Sequence, residues 1–477
     1  MPVGKGFPER RTNETIDGHK VAATQPPFCV SSQPELVKKM ARISTLYSFA
    51  ILAVLGLAIG GCGDDEEENP GNGSGETPEG FDAATFFADA AQAAQLNVDP
   101  QLADAASTSA PNFVPAAGSP AASGAKANVG GFFTEANYLG AFEPGGADWT
   151  AGWSVWATGP VEAGDRPVEA VSGNITESLT WTADTVWQLT GEVYVTGGAT
   201  LTIEPGTLVV GDVGSALIVT RNGQLIADGT AEAPITFTSS KPVADRVAGD
   251  WGGIVLLGSA PINVQSNNIE GLAATEDSAY GGTDAAHNCG TLRYARIEYA
   301  GSVFGTDNEL NALTLGGCGS ETTLDYIHTF RGLDDGIEFF GGTANLRHAI
   351  VSYTGDDSLD WDEGYVGNIQ FFVAQQTANE GDRAIEADNQ ADAPTATPLS
   401  DPTLYNFTLV GGGNPEQEGV RLRAGTAGAL HNFVITGFGK AALSVDGPES
   451  EANILSGALE VTNGIFHNSG AGGTGLF

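Results

Sequence analysis

The stretch Leu292–Gly301, LRYARIEYAG, decides the fold, because it returns with the same length and pattern at Leu346–Gly355, LRHAIVSYTG. Shorter versions stand at Leu324–Ile327 (LDYI), Leu404–Gly411 (LYNFTLVG) and Leu430–Gly437 (LHNFVITG). The full versions open on Leu, run through β-branched and aromatic residues and stop at Gly, the composition of a short buried strand closed by a turn. A second phrase alternates with the first: Asp334-Asp335-Gly-Ile-Glu338, Asp356-Asp357-Ser-Leu-Asp360, Asp382-Arg383-Ala-Ile-Glu386 and Gln417-Glu418-Gly-Val-Arg421. Its starts lie 22, 26 and 35 residues apart. Two or three strands per repeat, with turns and no helical period, fit one coil of a β-solenoid. A lone coil cannot bury its apolar side, whereas stacked coils share one continuous core. The variable excess length then belongs to loops on one face. Missing helices exclude a TIM barrel. A β-sandwich or a propeller needs about four strands per unit and a longer period, and these stand as the alternatives.

The pattern extends upstream through Leu189–Thr207 (LTGEVYVTGGATLTIEPGT), Ala216–Thr230 (ALIVTRNGQLIADGT), Pro234–Ser239 (PITFTS) and Asp250–Gly258 (DWGGIVLLG). With Asn308–Gly317 (NELNALTLGG), these phrases resemble a family of exported bacterial proteins, many of them lipoproteins, that form right-handed parallel β-helices. The resemblance covers residues 161–477. It implies an all-β, right-handed parallel β-helix, the fold shared with pectate lyases and polygalacturonases. It implies no activity, since a fold does not fix function. Two features depart from the family. Asp99-Pro-Gln-Leu102 and Pro115–Ala121 resemble the phrase that closes such a helix, yet here they precede it, with Trp149, Trp153 and Trp156 in another end-type phrase. The sequence stops at Phe477 in mid-coil. Residues 81–160 are therefore expected to be an irregular N-terminal cap, or the mark of a rearranged or truncated gene. A missing C-terminal cap would leave an open strand edge.

The chain's address is written at residues 38–62, KKMARISTLYSFAILAVLGLAIGGC. Lys38, Lys39 and Arg42 precede an apolar run from Leu46 to Ile59, of signal-peptide length and short for a membrane span. Ile59-Gly60-Gly61-Cys62 resembles a lipobox, which implies acylation of Cys62. Residues 40–62 thus read as a lipoprotein signal, and 63–80 (GDDEEENPGNGSGETPEG) as an acidic flexible tether. No Asp directly follows Cys62, which points to the outer membrane, periplasmic or surface-exposed. Residues 1–39 lie ahead of the signal and read as a misassigned start or an extension. Composition agrees with this address. The 477 residues carry 20 Lys and Arg against 59 Asp and Glu, a formal charge of −39 that makes nucleic acid a poor partner. Beyond Cys29 and Cys62 only Cys289 and Cys318 remain, an even pair in an exported chain. Both precede a Leu-led strand by a few residues. Stacked coils place equivalent corners about 4.8 Å apart, within reach of one disulfide.

The same stacking turns the second phrase into a surface. Ile337, Leu359, Ile385 and Val420 hold the inward register, so Glu338, Asp360, Glu386 and Arg421 point outward. Asp362, Asp388 and Arg423, two residues on, point outward too. An acidic corner precedes them: Glu309, Asp334/Asp335, Asp356/Asp357 and Asp382. Three explanations compete for these carboxylates. In the first, Asp334, Asp356, Asp357, Asp360, Asp362, Asp382, Glu386 and Asp388 ligate Ca²⁺, which takes six to eight oxygens. In the second, paired carboxylates cleave a polysaccharide, with Arg383, Arg421 or Arg423 gripping a uronate and Tyr365 and Phe372 stacking on sugar. Catalytic residues stay unassigned: the pectate-lyase arrangement of acids with a basic arginine can be laid on Asp360, Glu386 and Arg421 as alternative candidates, but no motif there matches it. Gly355-Asp356-Asp357 resembles the double Asp of polygalacturonases, but their Gly-His-Gly and Arg-Ile-Lys are absent. In the third, the carboxylates cap turns, and Glu386/Arg421 and Asp388/Arg423 are cross-strand ion pairs. Trp361 reads as core, and Asn406 and Asn432 as an asparagine ladder bonded along the stack. The sequence thus reads as a lipid-anchored envelope β-helix that binds or displays toward a glycan or surface partner. A Ca²⁺-dependent lyase or glycosidase and a purely structural protein are the alternatives.

Overall fold

In the computed structural model, residues 81–265, 267–305, 308–470 and 476–477 are described. Coils of parallel strands stack from Val168–Ile175 to Leu459–His467 into a right-handed β-helix with three sheets. Sheet 1 includes segments 290–293, 323–325, 345–347, 403–405 and 428–431. Sheet 2 takes the second halves of the same strands, such as 295–298, 327–330 and 349–352. Sheet 3 runs through Ile254–Leu257, Leu313–Gly316, Ile337–Phe340, Leu359–Asp362, Arg383–Ala387, Glu418–Leu422 and Ala441–Val445. The recurring phrase Leu292–Gly301 supplies sheets 1 and 2, and the acidic phrase supplies sheet 3.

Inside, equivalent residues stack in columns: Leu292, Leu346, Leu404 and Leu430 behind sheet 1, and Leu313, Ile337, Leu359, Ile385 and Val420 behind sheet 3. All are fully buried. Burying one such side chain stabilises by about 1.5–3 kcal/mol, and every coil repeats the gain. Trp361 lies in this core, as its register requires. Cys289 and Cys318 form the disulfide, with Cα atoms 5.8 Å apart.

The corner between sheets 1 and 2 is a single residue. Tyr294, Tyr326, His348, Phe371, Asn406, Asn432 and Asn463 all have positive φ, from +46° to +60°. One left-handed residue turns the strand without adding length, so both halves keep their register with the next coil. Such a conformation costs about 1–2 kcal/mol away from Gly and is best tolerated by Asn. Tyr294, Tyr326 and His348 stack along the axis, with ring centroids 4.3 and 4.2 Å apart. The asparagines do not bond to one another as expected. Asn406, Asn432 and Asn463 instead donate Nδ2 to the carbonyls of Tyr138, Lys126 and Gly124, at 2.8–2.9 Å.

Those carbonyls belong to a strap, and the strap corrects the reading of 81–160 as an N-terminal cap. Ala94–Leu96 adds a parallel strand to sheet 2 beyond the last coil, pairing Gly464–Phe466. Phe87 packs on Phe466 and stacks on Phe477, with centroids 5.4 and 4.8 Å apart. The segment therefore covers the C-terminal end of the solenoid, the edge expected to be open. From there the chain returns along the left-handed corner toward the first coil. Thr134 N–H donates to Gln370, Trp153 packs edge-on against Tyr294 and Tyr326, and Val155 N–H donates to His328. Buried Arg296 reaches the Gly159 carbonyl at 2.8 Å while paired with Glu298. The strap binds at this corner because a one-residue bend leaves side-chain amides and rings facing outward. The expected extension 1–39, the signal 40–62 with Cys62 and the tether 63–80 lie outside the described residues.

Candidate functional site

Sheet 3 aligns its outward residues in one row. Thr314, Glu338, Asp360, Glu386, Arg421 and Ser444 are register partners from coil to coil. Strand alternation drives this: Ile337 and Phe339, Leu359 and Trp361, and Ile385 and Ala387 are buried on the other side.

The acidic corner divides into two roles. Asp335 Oδ1 accepts the N–H of Asp357 at 2.8 Å, and Asp357 Oδ1 accepts that of Arg383 at 2.7 Å. Asn311 Oδ1 accepts the N–H of Asp335 at 3.1 Å, and its Nδ2 donates to Glu338. Asn311, Asp335 and Asp357 thus form one side-chain ladder, each capping the next coil, as turn-capping predicts for that position. Asn311 was not singled out from the sequence. Its signal was present, since it stands two residues before Leu313 as Asp335 stands before Ile337.

The row itself carries carboxylates with spare oxygens. Asp335, Glu338 and Asp360 bring ligand atoms within 4.8 Å of one another, and so do Asp357, Asp360 and Glu386. At the corner, Asp334/Asp335/Asp356 and Asp356/Asp357/Asp382 do the same. Among the described residues, these groups consist of carboxylates alone. Asp362 and Asp388, also expected as ligands, fall outside them. Asp388 accepts Arg423 Nε at 2.9 Å, and Asp362 accepts the Glu363 N–H at 2.5 Å. Asp360 Oδ1 and Glu386 Oε1 are buried without a hydrogen-bond partner. Glu386, 7 % exposed, has Arg383 Nε at 3.3 Å and Arg421 Nη1 at 3.8 Å from that oxygen, while Arg423 holds its other oxygen at 2.9 Å. The expected Asp388/Arg423 pair forms directly. Arg421 pairs more closely with Asp446, at 2.7 Å, than with Glu386.

Burial and crowding disfavour ionisation of these acids. Burial pushes the Glu386 carboxyl up to about 7, although Arg423 and Arg383 pull it down. Asp334 is likewise pushed up to about 7 by burial, then by Asp356. Burial, followed by mutual repulsion, holds Asp335, Glu338, Asp357 and Asp360 well above the carboxylate range. Burial pulls the Arg423 guanidinium down, but Asp388 and Glu386 outweigh it. A cluster of mutually repelling acids with orphaned oxygens favours bound protons or a hard cation. Asp357, Asp360 and Glu386 together offer three carboxylate oxygens within 4.8 Å of one another, the donor chemistry that a hard cation such as Ca²⁺ would require.

Two expected contacts are corrected. Tyr365 is wholly buried, donating its hydroxyl to the Ala344 carbonyl at 2.8 Å and stacking on Phe339. Glu363 and Gly364, both at positive φ, end the sheet 3 strand ahead of it. Phe372 is buried too, because the left-handed Phe371 resets the alternation.

A loop walls one end of the row. Ile269, Tyr280 and Leu310 form a small second core over the outer face of sheet 3, covering Ala216, Ile218, Val255 and Leu257. Tyr280 lies flat at Gly316, where a Cβ would meet its ring at 2.8 Å. Its hydroxyl donates to Glu363 Oε2 at 2.7 Å, and Asn267 donates to Glu363 Oε1 at 2.7 Å.

Residues 173–473 match the family model of the pectate-lyase-like β-helix domain. No curated protein and no solved structure matches the chain. The match spans more than half of the sequence and coincides with the stacked coils, so the chain belongs to the pectate-lyase-like β-helix domain family.

Proposed function

We propose that this protein is a lipid-anchored envelope β-helix that binds an acidic glycan along the outer face of sheet 3. Carboxylates of the row hold a bridging Ca²⁺, and Arg421 and Arg423 meet uronate carboxylates. One observation carries the reading: Asp360 and Glu386 stand in register on adjacent coils, each with a buried oxygen lacking a hydrogen bond, beside arginines. Asp335 and Asp357, which cap turns, each use one oxygen to accept a backbone N–H. The anchor on Cys62 and the outer-membrane address belong to the same reading and rest on the sequence alone.

Calorimetric titration of Ca²⁺ into the purified, chelator-treated full chain tests it. Saturable binding, lost in the Asp360→Asn/Glu386→Gln variant, and uptake of a uronic-acid polymer only with Ca²⁺ present are expected. A parent chain that takes up neither ion nor polymer would overturn the proposal and leave a structural scaffold. A second reading, cleavage of the bound polymer, is favoured by Glu386. An acid pushed up to about 7 beside other carboxylates can give and take a proton near neutrality. Its mark is new chain ends in the polymer, absent in Glu386→Gln.

A further inference from the structure

We infer that the glycan row on sheet 3 is blind at its N-terminal end and receives the terminus of a polysaccharide chain rather than an internal stretch. This rests on the glycan reading above and deepens it.

The outward column does not begin at Glu338. It continues upstream through Thr314, Val255, Ile218 and Tyr194, which are register partners on the preceding coils. A solenoid open along this face would offer a ligand the whole column. The upstream part is closed instead. Ile218 and Val255 are fully buried beneath Ile269, Tyr280 and Leu310, and Thr314 is 1 % exposed. The covering loop is fixed at several points. Glu363 holds Tyr280 and Asn267, and Asn263 donates to Asn389 Oδ1 at 2.9 Å, one coil beyond Glu363. The loop is held further by the Asn263 N–H to the Glu363 carbonyl at 2.9 Å, by the Gly342 N–H to the Pro261 carbonyl at 2.9 Å and by the Thr196 hydroxyl to Asp277 at 3.0 Å. Downstream the row opens. The Arg421, Arg423 and Asp446 side chains are 20 %, 28 % and 45 % exposed.

The chemistry changes along this length. At the walled end Asp335, Glu338 and Asp360 bring carboxylate oxygens within 4.8 Å of one another, so that end is carboxylate-rich and suits sugar hydroxyls. At the open end the arginines suit uronate carboxylates. A chain entering from the arginine side therefore ends against the loop. A continuous polymer cannot pass, because its next residues would occupy the volume of Tyr280 and Ile269.

Counting chain ends tests this. The full chain is titrated in Ca²⁺ with uronate polymers of one composition and several lengths. If termini are bound, protein bound per unit mass falls in inverse proportion to polymer length. Equal capacity per unit mass at every length would overturn the inference while leaving glycan binding intact. No binding at any length would overturn the glycan reading itself, and this inference with it.

Discussion

At the scale of single residues, Glu386 shows how a carboxylate can be surrounded by arginines and still not be fully ionised. Arg423 holds one oxygen, while the other has cations at 3.3 and 3.8 Å but no hydrogen bond. Burial then outweighs the ion pairs, and the carboxyl rises to about 7, as does that of Asp334. The sign for stability follows from linkage. Both groups bind protons more tightly folded than unfolded, so stability is full below the ordinary carboxylate range and falls as pH rises toward about 7. In chelator, the thermal midpoint is therefore expected to drop across that interval. Glu386→Gln should flatten the drop, and Ca²⁺ should offset it. A midpoint that climbs with pH over the same interval would contradict this assignment.

At the scale of elements, the strap and the solenoid are joined through side chains at left-handed positions. Asn406, Asn432 and Asn463 each donate to one strap carbonyl. Replacement by Gly keeps the backbone conformation accessible and removes only the amide. Asn463→Gly is expected to cost about 1 kcal/mol, the net worth of one hydrogen bond, and Asn432→Gly about twice that, since its Oδ1 also accepts the Lys126 N–H at 2.7 Å. In the triple variant a broad-specificity protease should cut the strap near residues 124–138 before it cuts the coils. Simultaneous digestion of strap and coils would show that the asparagines do not hold the strap separately. The sheet 3 wall is built differently, by apolar burial at Ile269 and Tyr280 with polar pins to Glu363.

At the scale of the whole molecule, the N-terminal segment closes the end that the chain makes last. Ala94–Leu96 satisfies the edge of the final strand, and Phe87 covers Phe466 and Phe477. Removing residues 81–97 leaves that edge and these rings exposed, a template for pairing with another copy. Concentration-dependent association, measured by light scattering, is the expected result, with the circular-dichroism signature of the coils retained. A truncated chain that stays monomeric at all concentrations would show that the cap is not what blocks association. The charge of −39 opposes association through repulsion, so added salt should promote it.

The coils, the outward row of sheet 3 and the Cys289–Cys318 pairing were legible in the sequence, because each follows from a repeated phrase and a strand period of two. Equivalent positions in stacked coils must be neighbours, so Glu338, Asp360, Glu386 and Arg421 could be aligned from spacing alone. Three things could not be read there. The left-handed corner resets alternation by one residue and buries Phe372, and no local preference marks Tyr294 or Phe371 for that conformation. The strap and cap join residues distant in sequence, from 137 positions between Gly159 and Arg296 to 306 between Lys126 and Asn432 and further still between Ala94 and Gly464, and outside the repeat nothing fixes which end a segment will cover. The carboxylates' charge state was open as well, because it depends on how deeply the packed coils, the loops and the arginines remove each oxygen from water. Period and repetition are local properties that a sequence carries. Burial and long-range pairing are properties of the packed whole, and only the tertiary structure decided them.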